Sequence, residues 1–447
     1  MVVTSGLAFW RTAELNEAGA VARQLESARS QVPEDLVVGG SFFQETKAVK
    51  LQRVLKGAAK IAVPALAATG IALAGIAALP MTLLAGGLAL ATGVIGLAEG
   101  PALVKNAQDY LLARNYQEYE GMDAWRSGGP PASVPLDKGS APEVGLREML
   151  AANMKDFPSS LQVVHANGHG YGGRYTAGLP TDKLQGAITS ATDLSGRSVD
   201  VTVLDSCYSA NFESLMGMAR SIPGSKFVVA FEDSIPSAAS NAGRIPLDKM
   251  LVEASDDGSA REAAISMAKV AASYFDGQSH LEIAKLPLTE RHRPKNLEKL
   301  RQGTDSTVAA IDMEKLRDDL HPALDKVGLQ LTQALQQPEL AKAIATAKDA
   351  AALDASRDLI DLGGFLQGVL HQTAEGSPLH TSLQQALNGL EATLLLKRTG
   401  NDYPLSGLSV HTRDTIPNRG EVANQGSSPL QGDHLPQGWV KFIKEAF

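Results

Sequence analysis

A single cysteine, Cys207, occurs in 447 residues. That excludes an intrachain disulfide framework and any cysteine-rich zinc site. Basic side chains are outnumbered, 41 Lys and Arg against 49 Asp and Glu, giving a formal net charge of −8. Such a balance argues against a nucleic-acid binder that works through a broad basic face. The opening segment, Met1–Gly19, lacks a basic leader, and Arg11 and Glu14 break its apolar stretch. No cleavable secretory signal is expected there, which leaves open an export route that uses none. What the chain does have is 44% hydrophobic and 20% charged residues, which excludes disorder as a whole-chain description, and length for two or three domains.

Charge is missing altogether from Ile61–Ala98, 38 consecutive residues whose polar side chains are three threonines. A bilayer crossing takes about 20 apolar residues, so this run suits two short crossings or one very long buried helix. Pro80 offers a turn near its middle, and Gly70, Ala74, Gly75, Gly86, Gly87 and Ala91 would let two apolar helices approach closely. Lys47, Lys50, Arg53, Lys56 and Lys60 precede it and Lys105 follows, which fits a hairpin with both ends on the cytosolic side. The alternative is a Gly/Ala-rich helical pair buried in the protein. Soluble core helices usually carry a polar stripe, and its absence favours the membrane hairpin.

The remainder divides into a polar region at 1–56, the apolar hairpin at 57–104, a helix and Gly/Pro-rich linker at 105–144, and a catalytic-type domain at 145–447. Helical patterns are expected at Ala13–Ser30 and Ala102–Tyr119, and Trp125–Glu143 reads as an exposed linker. From residue 161 strands alternate with helices. Leu161–Ala166, Val199–Leu204 and Lys226–Phe231 read as strands, Thr181–Thr192 and Asn211–Arg220 as helices. This predicts an α/β fold, a mostly parallel sheet flanked by helices. The chain then reads as mainly helical from Leu247 to Leu396, with a return strand within Leu405–Val410 and an amphipathic helix at Gly438–Phe447.

Two strand ends carry reactive side chains. The first strand runs into His169, between Gly168 and Gly170, and the second into Cys207, 38 residues later. In a parallel sheet the C-terminal ends of neighbouring strands lie side by side, and ligands bind in the crevice there. A free thiol of pKa about 8.5 is only slightly ionised at neutral pH, so a nearby imidazole that takes its proton creates the nucleophile. The same imidazole can protonate the leaving amine. The backbone N–H groups of Gly170 and Cys207 would form an oxyanion hole, and the helix expected after Cys207 would favour a thiolate. The plainer readings are a buried apolar cysteine and a turn histidine. His165, inside the strand, reads as structural.

A strand ending in His-Gly and another ending in Asp-x-Cys resemble the caspase-type cysteine peptidases, and the clostripain family most. The likeness extends to VVAFEDSIP (Val228–Pro236), RIPLDKML (Arg244–Leu251), STVAAIDMEKLRDDL (Ser306–Leu320), DLIDLGGFLQGVL (Asp358–Leu370), SGLSVHT (Ser406–Thr412) and the closing GWVKFIKEAF. The family's usual Asp before the histidine is Gly168 here, its opening strands are not evident, and no distinctive acidic loop suggests calcium.

The resemblance implies an endopeptidase cleaving after Arg or Lys, with Cys207 and His169 as the catalytic dyad. Asp205 would line the pocket for the basic side chain, and Glu232 and Asp233 could meet its charge. An alternative role for Asp205 is as a helix cap or turn residue. Self-cleavage in an exposed loop would fall at Arg174 or Lys183, with Arg126 and Lys138 second. No cofactor or metal is expected. The expected partners are peptides with Arg or Lys before the scissile bond and a lipid bilayer through 61–98, with no nucleic acid. The expected location is a membrane with the peptidase on its cytosolic side, or a host cell after translocation. The rival function is a membrane-inserting, effector-like or toxin-like protein whose peptidase-like domain only binds.

Overall fold

A computed structural model describes residues 3–9, 38–42, 122–125, 132–134, 142–156, 161–167, 170, 172, 175–176, 179–219, 224–233, 247–256, 258–275, 306–353, 358–398, 405–413, 430 and 432–447. In chain order its elements begin with strands β1 (Val3–Phe9), β2 (Val38–Phe42), β3 (Met122–Trp125) and β4 (Ala132–Val134). Helix α1 (Pro142–Asp156), β5 (Leu161–Asn167), the short strands β6 (Tyr175–Thr176) and β7 (Leu179–Pro180), and α2 (Thr181–Ser195) follow. Next come β8 (Val199–Asp205), α3 (Phe212–Met216), β9 (Ser225–Phe231), α4 (Leu247–Asp256), α5 (Ala260–Phe275) and β10 (Val308–Asp312). A helical turn (Met313–Lys315) and a π-helical turn (Leu316–Leu320) lead into α6 (His321–Ala334). The chain closes with α7 (Pro338–Ala350), β11 (Leu359–Asp361), α8 (Leu362–Leu370), α9 (Pro378–Thr393), β12 (Leu394–Arg398), β13 (Ser409–His411) and α10 (Gln437–Ala446).

Nine strands form one sheet in the order β12-β10-β9-β8-β5-β1-β2-β3-β4. The five from β9 to β2 run parallel, and β3, β4, β10 and β12 add antiparallel edges. β8 lies inside the sheet, between β9 and β5, and all seven of its residues are buried, as a parallel strand covered on both faces requires. Alternation along the strands splits the interior into two layers. Val164, Ala166, Leu204, Val228 and Ala230 face α1, α2 and the C-terminal helices. Val163, Val201, Val203, Val229 and Phe231 face α4 and α5.

The mostly parallel, helix-flanked sheet is thus as expected, with three corrections. First, opening strands do exist: β1 pairs with β5 from Val3↔Leu161 to Phe9↔Asn167, and β2 pairs with β1. The sheet therefore draws on 1–56 and 105–144 as well as on 145–447, and the boundary at 145 does not separate two folding units. Gly6 and the polar Thr4 and Ser5 hide β1 from a hydrophobic-pattern reading, and it is the edge of β5 that supplies its hydrogen-bond partners. Second, the linker expected at Trp125–Glu143 contains β4, paired with β3. Third, β10, β11 and β12 interrupt the stretch read as helical, and β13 pairs with β11 in a separate two-stranded sheet.

Among the described residues no helix is long and apolar enough to cross a membrane. The hairpin 61–98 lies outside those residues, as do the helices expected at Ala13–Ser30 and Ala102–Tyr119.

The C-terminal helix is integral to the interior. Trp439 and Phe442 of α10 meet Phe365 of α8 at ring-centroid distances of 6.0 Å each, and Phe447 closes the group at 5.6 Å from Phe442. Such offset and edge-on pairs add to the area they bury.

Candidate active site

β5 and β8 pair in parallel with Asn167 opposite Asp205, so the segments that leave them emerge at one edge of the sheet. After β8 the chain turns sharply through Ser206–Ala210. The Ser206 amide donates to the Leu204 carbonyl at 2.9 Å, the Tyr208 amide to Asp233 at 2.9 Å and the Ala210 amide to Phe231 at 2.8 Å. Ser209 Oγ bridges the two strands, donating to the Leu204 carbonyl at 2.8 Å and accepting from the Phe231 amide at 3.1 Å. Tyr208 has φ of 53°, the left-handed region that costs a side-chain-bearing residue strain. This turn presents Cys207, which is partly exposed and packs against the α4–α5 layer.

Gly170 reaches the same turn from β5. A Cβ placed on it would collide with Ser206 Oγ and the Cys207 carbonyl oxygen, so only glycine fits this approach. Two residues on, Gly172 has φ of 53°, and its carbonyl accepts from Ser214 Oγ at 3.1 Å. A Cβ there would stand 2.8 Å from His411 Nε2 and 2.9 Å from Leu359 Cδ2. Gly170 and Cys207, the expected oxyanion pair, are therefore brought together. His169 itself lies outside the described residues, as does Arg174.

The helix after Cys207 is shorter and later than expected. α3 begins at Phe212, and its cap is Asn211, whose side chain accepts from the Ser214 amide. Cys207 is thus not at the helix start, which removes the dipole argument for its thiolate. Asp205 is likewise not the cap, because Asn211 fills that position.

Asp205 is fully buried, and its Oδ2 lies 3.4 Å from Nε2 of His165, itself 3% exposed. Glu232 points into the protein instead of toward solvent. No part of it is exposed, and Oε2 accepts from the Gly407 amide at 2.5 Å. Burial, with the charge of Asp361 next, holds its carboxyl well above the ordinary carboxylate range. Asp361 is the cap of α8, accepting from the Gly364 amide at 2.9 Å and the Ser406 amide at 2.9 Å. Asp233 accepts from the Thr307 amide at 3.1 Å, and burial pushes it up to about 7 against the pull of that bond. The three expected pocket acids thus sit at the ends of β8 and β9, with Glu232 and Asp233 engaged by backbone amides.

Lys183 stands in the first turn of α2, its Nζ 3.8 Å from Glu143 Oε1. Its peptide bonds are helical, which corrects the expectation of an exposed loop; proteolysis favours unstructured loop tips.

The C-terminal part braces this site through the SGLSVHT segment, whose partners across the chain the sequence did not show. Glu213 accepts from the His411 amide at 3.2 Å across 198 positions, and the Ser409 amide donates to the Ala210 carbonyl at 2.8 Å. Burial raises Glu213 from 4.5 to about 8, although backbone amides, including that of His411, pull it down. Among the described residues no group of three or more His, Cys, Asp or Glu could hold a metal ion. The arrangement suits covalent chemistry at a thiol set on a rigid turn, flanked by a glycine backbone.

No family model and no curated protein matches the chain. Two solved structures are similar along nearly its whole length. One is an inactive zymogen C11 protease from Parabacteroides distasonis, with TM-score 0.51, 9% identity, and 99% of this chain and 97% of that one covered. The other is the secreted C11 cysteine protease "iotapain" from Bacteroides thetaiotaomicron, with TM-score 0.50, 9% identity and coverage of 92% and 93%. The chain shares the fold of the C11, clostripain-family, cysteine proteases.

Proposed function

We propose that the chain is a cysteine endopeptidase in which Cys207 is the nucleophile and His169 the base and acid. The observation that carries the reading is the approach of the Gly170 backbone to the Ser206–Cys207 turn at the ends of paired β5 and β8. Gly170 directly follows His169 in sequence, so the base and the thiol belong to the same strand-end pair. His169 takes the thiol proton, and the thiolate attacks the scissile carbonyl carbon. The N–H groups of Gly170 and Cys207 receive the oxyanion, a contribution worth about 10²–10³ in rate per donor in comparable sites. His169 then protonates the leaving amine, and water hydrolyses the thioester.

Preference for Arg or Lys before the scissile bond rests on the sequence resemblance and on Asp205, two residues before Cys207 on the face of β8 that packs against α4 and α5. Asp205 is the acid we assign to the basic side chain from its place in the resemblance; Glu232 and Asp233 accept from Gly407 and Thr307. Activation by self-cleavage is assigned to Arg174 over Lys183, because Lys183 is helical. The uncharged run 61–98 would tether the enzyme to a bilayer.

Purified protein should hydrolyse Arg- and Lys-terminated fluorogenic peptides, and Cys207→Ala and His169→Ala should abolish it. Equal turnover by wild type and Cys207→Ala would sink the peptidase reading. Loss of liposome flotation on deleting 61–98 tests the tether, and equal flotation would reject it.

A further inference from the structure

An oxyanion hole made of two backbone amides works only while their separation is held to about 0.5 Å. The Cys207 amide belongs to the turn after β8, and the Gly170 amide to the segment that leaves β5. The ladder between those strands ends at Asn167 and Asp205, short of both amides. Glycines at 170 and 172 permit the close approach to the turn, but they also leave the backbone free to rotate. A donor from outside the segment is needed to select one conformation.

α3 supplies one. Ser214 Oγ donates to the Gly172 carbonyl at 3.1 Å. Ser214 is 1% exposed, and Gly172 is buried beside His411 and Leu359. A carbonyl enclosed in this way has no water to replace a lost donor, so the bond is costly to remove. The hydroxyl's other acceptor, Asn211 Oδ1, is farther at 3.4 Å and already takes the Ser214 amide at 3.2 Å. Asn211 caps α3, and Ala210 before it is bonded to Phe231 and Ser409. Ser214 therefore stands on the same braced stretch of chain as Cys207.

We propose that Ser214 is a positioning residue for Gly170: by holding the Gly172 carbonyl it sets the Gly170 N–H against that of Cys207. This rests on the peptidase reading above. Peptide units are planar, so with Gly172 fixed only a few backbone rotations remain between it and the Gly170 amide. Ser214 touches neither the thiol nor the scissile bond. Its loss falls on the stabilisation of the oxyanion, leaving substrate binding and the ionisation of the thiol as they were.

The experiment measures three quantities in wild type and Ser214→Ala. On an Arg-terminated fluorogenic peptide kcat should fall about three- to tenfold at unchanged KM, the order of one hydrogen bond. The inhibition constant of a matching peptide aldehyde should rise by the same factor. There the thiolate sulfur bonds to the carbonyl carbon, the π pair moves onto the oxygen, and that oxygen faces the two amides as the transition state does. Alkylation of Cys207 by iodoacetamide, in which sulfur displaces iodide and no oxyanion forms, should keep its wild-type rate; with a single cysteine in the chain, the label reports that residue alone. Ser214→Thr keeps the hydroxyl and Ser214→Val has the same shape without it. Their comparison repeats the test with the added methyl cancelled, and it decides the matter if Ser214→Ala is unstable. If wild type neither hydrolyses the peptide nor binds the aldehyde, the peptidase reading fails and the proposal with it. If wild type does both, the proposal alone is overturned by either of two results: a hydroxyl-free variant that matches its partner in kcat and aldehyde affinity, or one that slows alkylation as much as hydrolysis.

Discussion

The Tyr208 amide donates to the Asp233 carbonyl at 2.9 Å, tying the residue after the cysteine to the end of β9. Asp233 in turn accepts from the Thr307 amide through its side chain, and the Glu232 amide donates to the Thr307 carbonyl at 3.1 Å. The cysteine turn is thus held from three strands, which lets Tyr208 persist at φ of 53°.

Asp233→Ala should destabilise the protein by about 1–3 kcal/mol, because the enclosed Thr307 amide loses its acceptor. Asp233→Asn should cost less, since an amide oxygen can accept the same bond. Thermal unfolding of the two variants checks the order, and equal losses would show that a neutral acceptor of the same volume cannot replace the carboxyl group.

Gly170→Ala should damage catalysis more than folding. The new Cβ must displace Ser206 or the Cys207 carbonyl, which moves both amides assigned to the oxyanion. A fall in kcat of about 10²-fold or more is expected, the size of losing one such donor, with a stability cost of about 1–3 kcal/mol from overpacking. Unchanged kcat would remove Gly170 from the oxyanion hole.

Stability should fall as pH rises because of Glu213. Its folded value of about 8 lies above the ordinary 4.5, so between those values the native state keeps a proton that the unfolded chain has released. Stability contributed by this group is complete below about 4.5 and is lost as pH rises through about 8, with a slope of roughly 1.4 kcal/mol per pH unit. Glu213→Gln should flatten that part of the stability–pH curve in denaturant titrations. A curve of unchanged slope would contradict the assignment.

Gly328→Ala should loosen the C-terminal helix. A Cβ at Gly328 would strike the backbone of Gly438 and Trp439, while Gly438 itself lies against the Asp325 carbonyl and donates to Asp325 Oδ1 at 2.6 Å. With backbone on both sides there is no flexible side chain to yield, and a loss of about 1–3 kcal/mol or more is expected. Calorimetry of the variant reads it.

Elements whose pattern is local were legible. Leu161–Asn167, Val199–Asp205 and Ser225–Phe231 are apolar runs bounded by glycine, proline or polar residues, and each forms the expected strand within a residue. Thr181–Ser195 and Gln437–Ala446 show helical periodicity and are helices. β1 and β10 were not legible. VTSGLAF carries a glycine amid its polar residues, and VAAID is too short to tell strand from helix entry, so the partner strand decides both.

By itself the sequence determined the strand–helix alternation and the placing of Gly170 and Cys207 just past two strand ends, because periodicity and strand length are local properties. Tertiary structure alone decided how the acids are used. Glu232 and Asp233 read as charges awaiting a substrate, yet amides of Gly407 and Thr307, from distant segments, engage them. His165, which reads as structural, faces Asp205 at 3.4 Å from the neighbouring strand. A carboxylate's role is set by what faces it once water is removed, and those neighbours come from across the sheet, at separations no spacing rule spans.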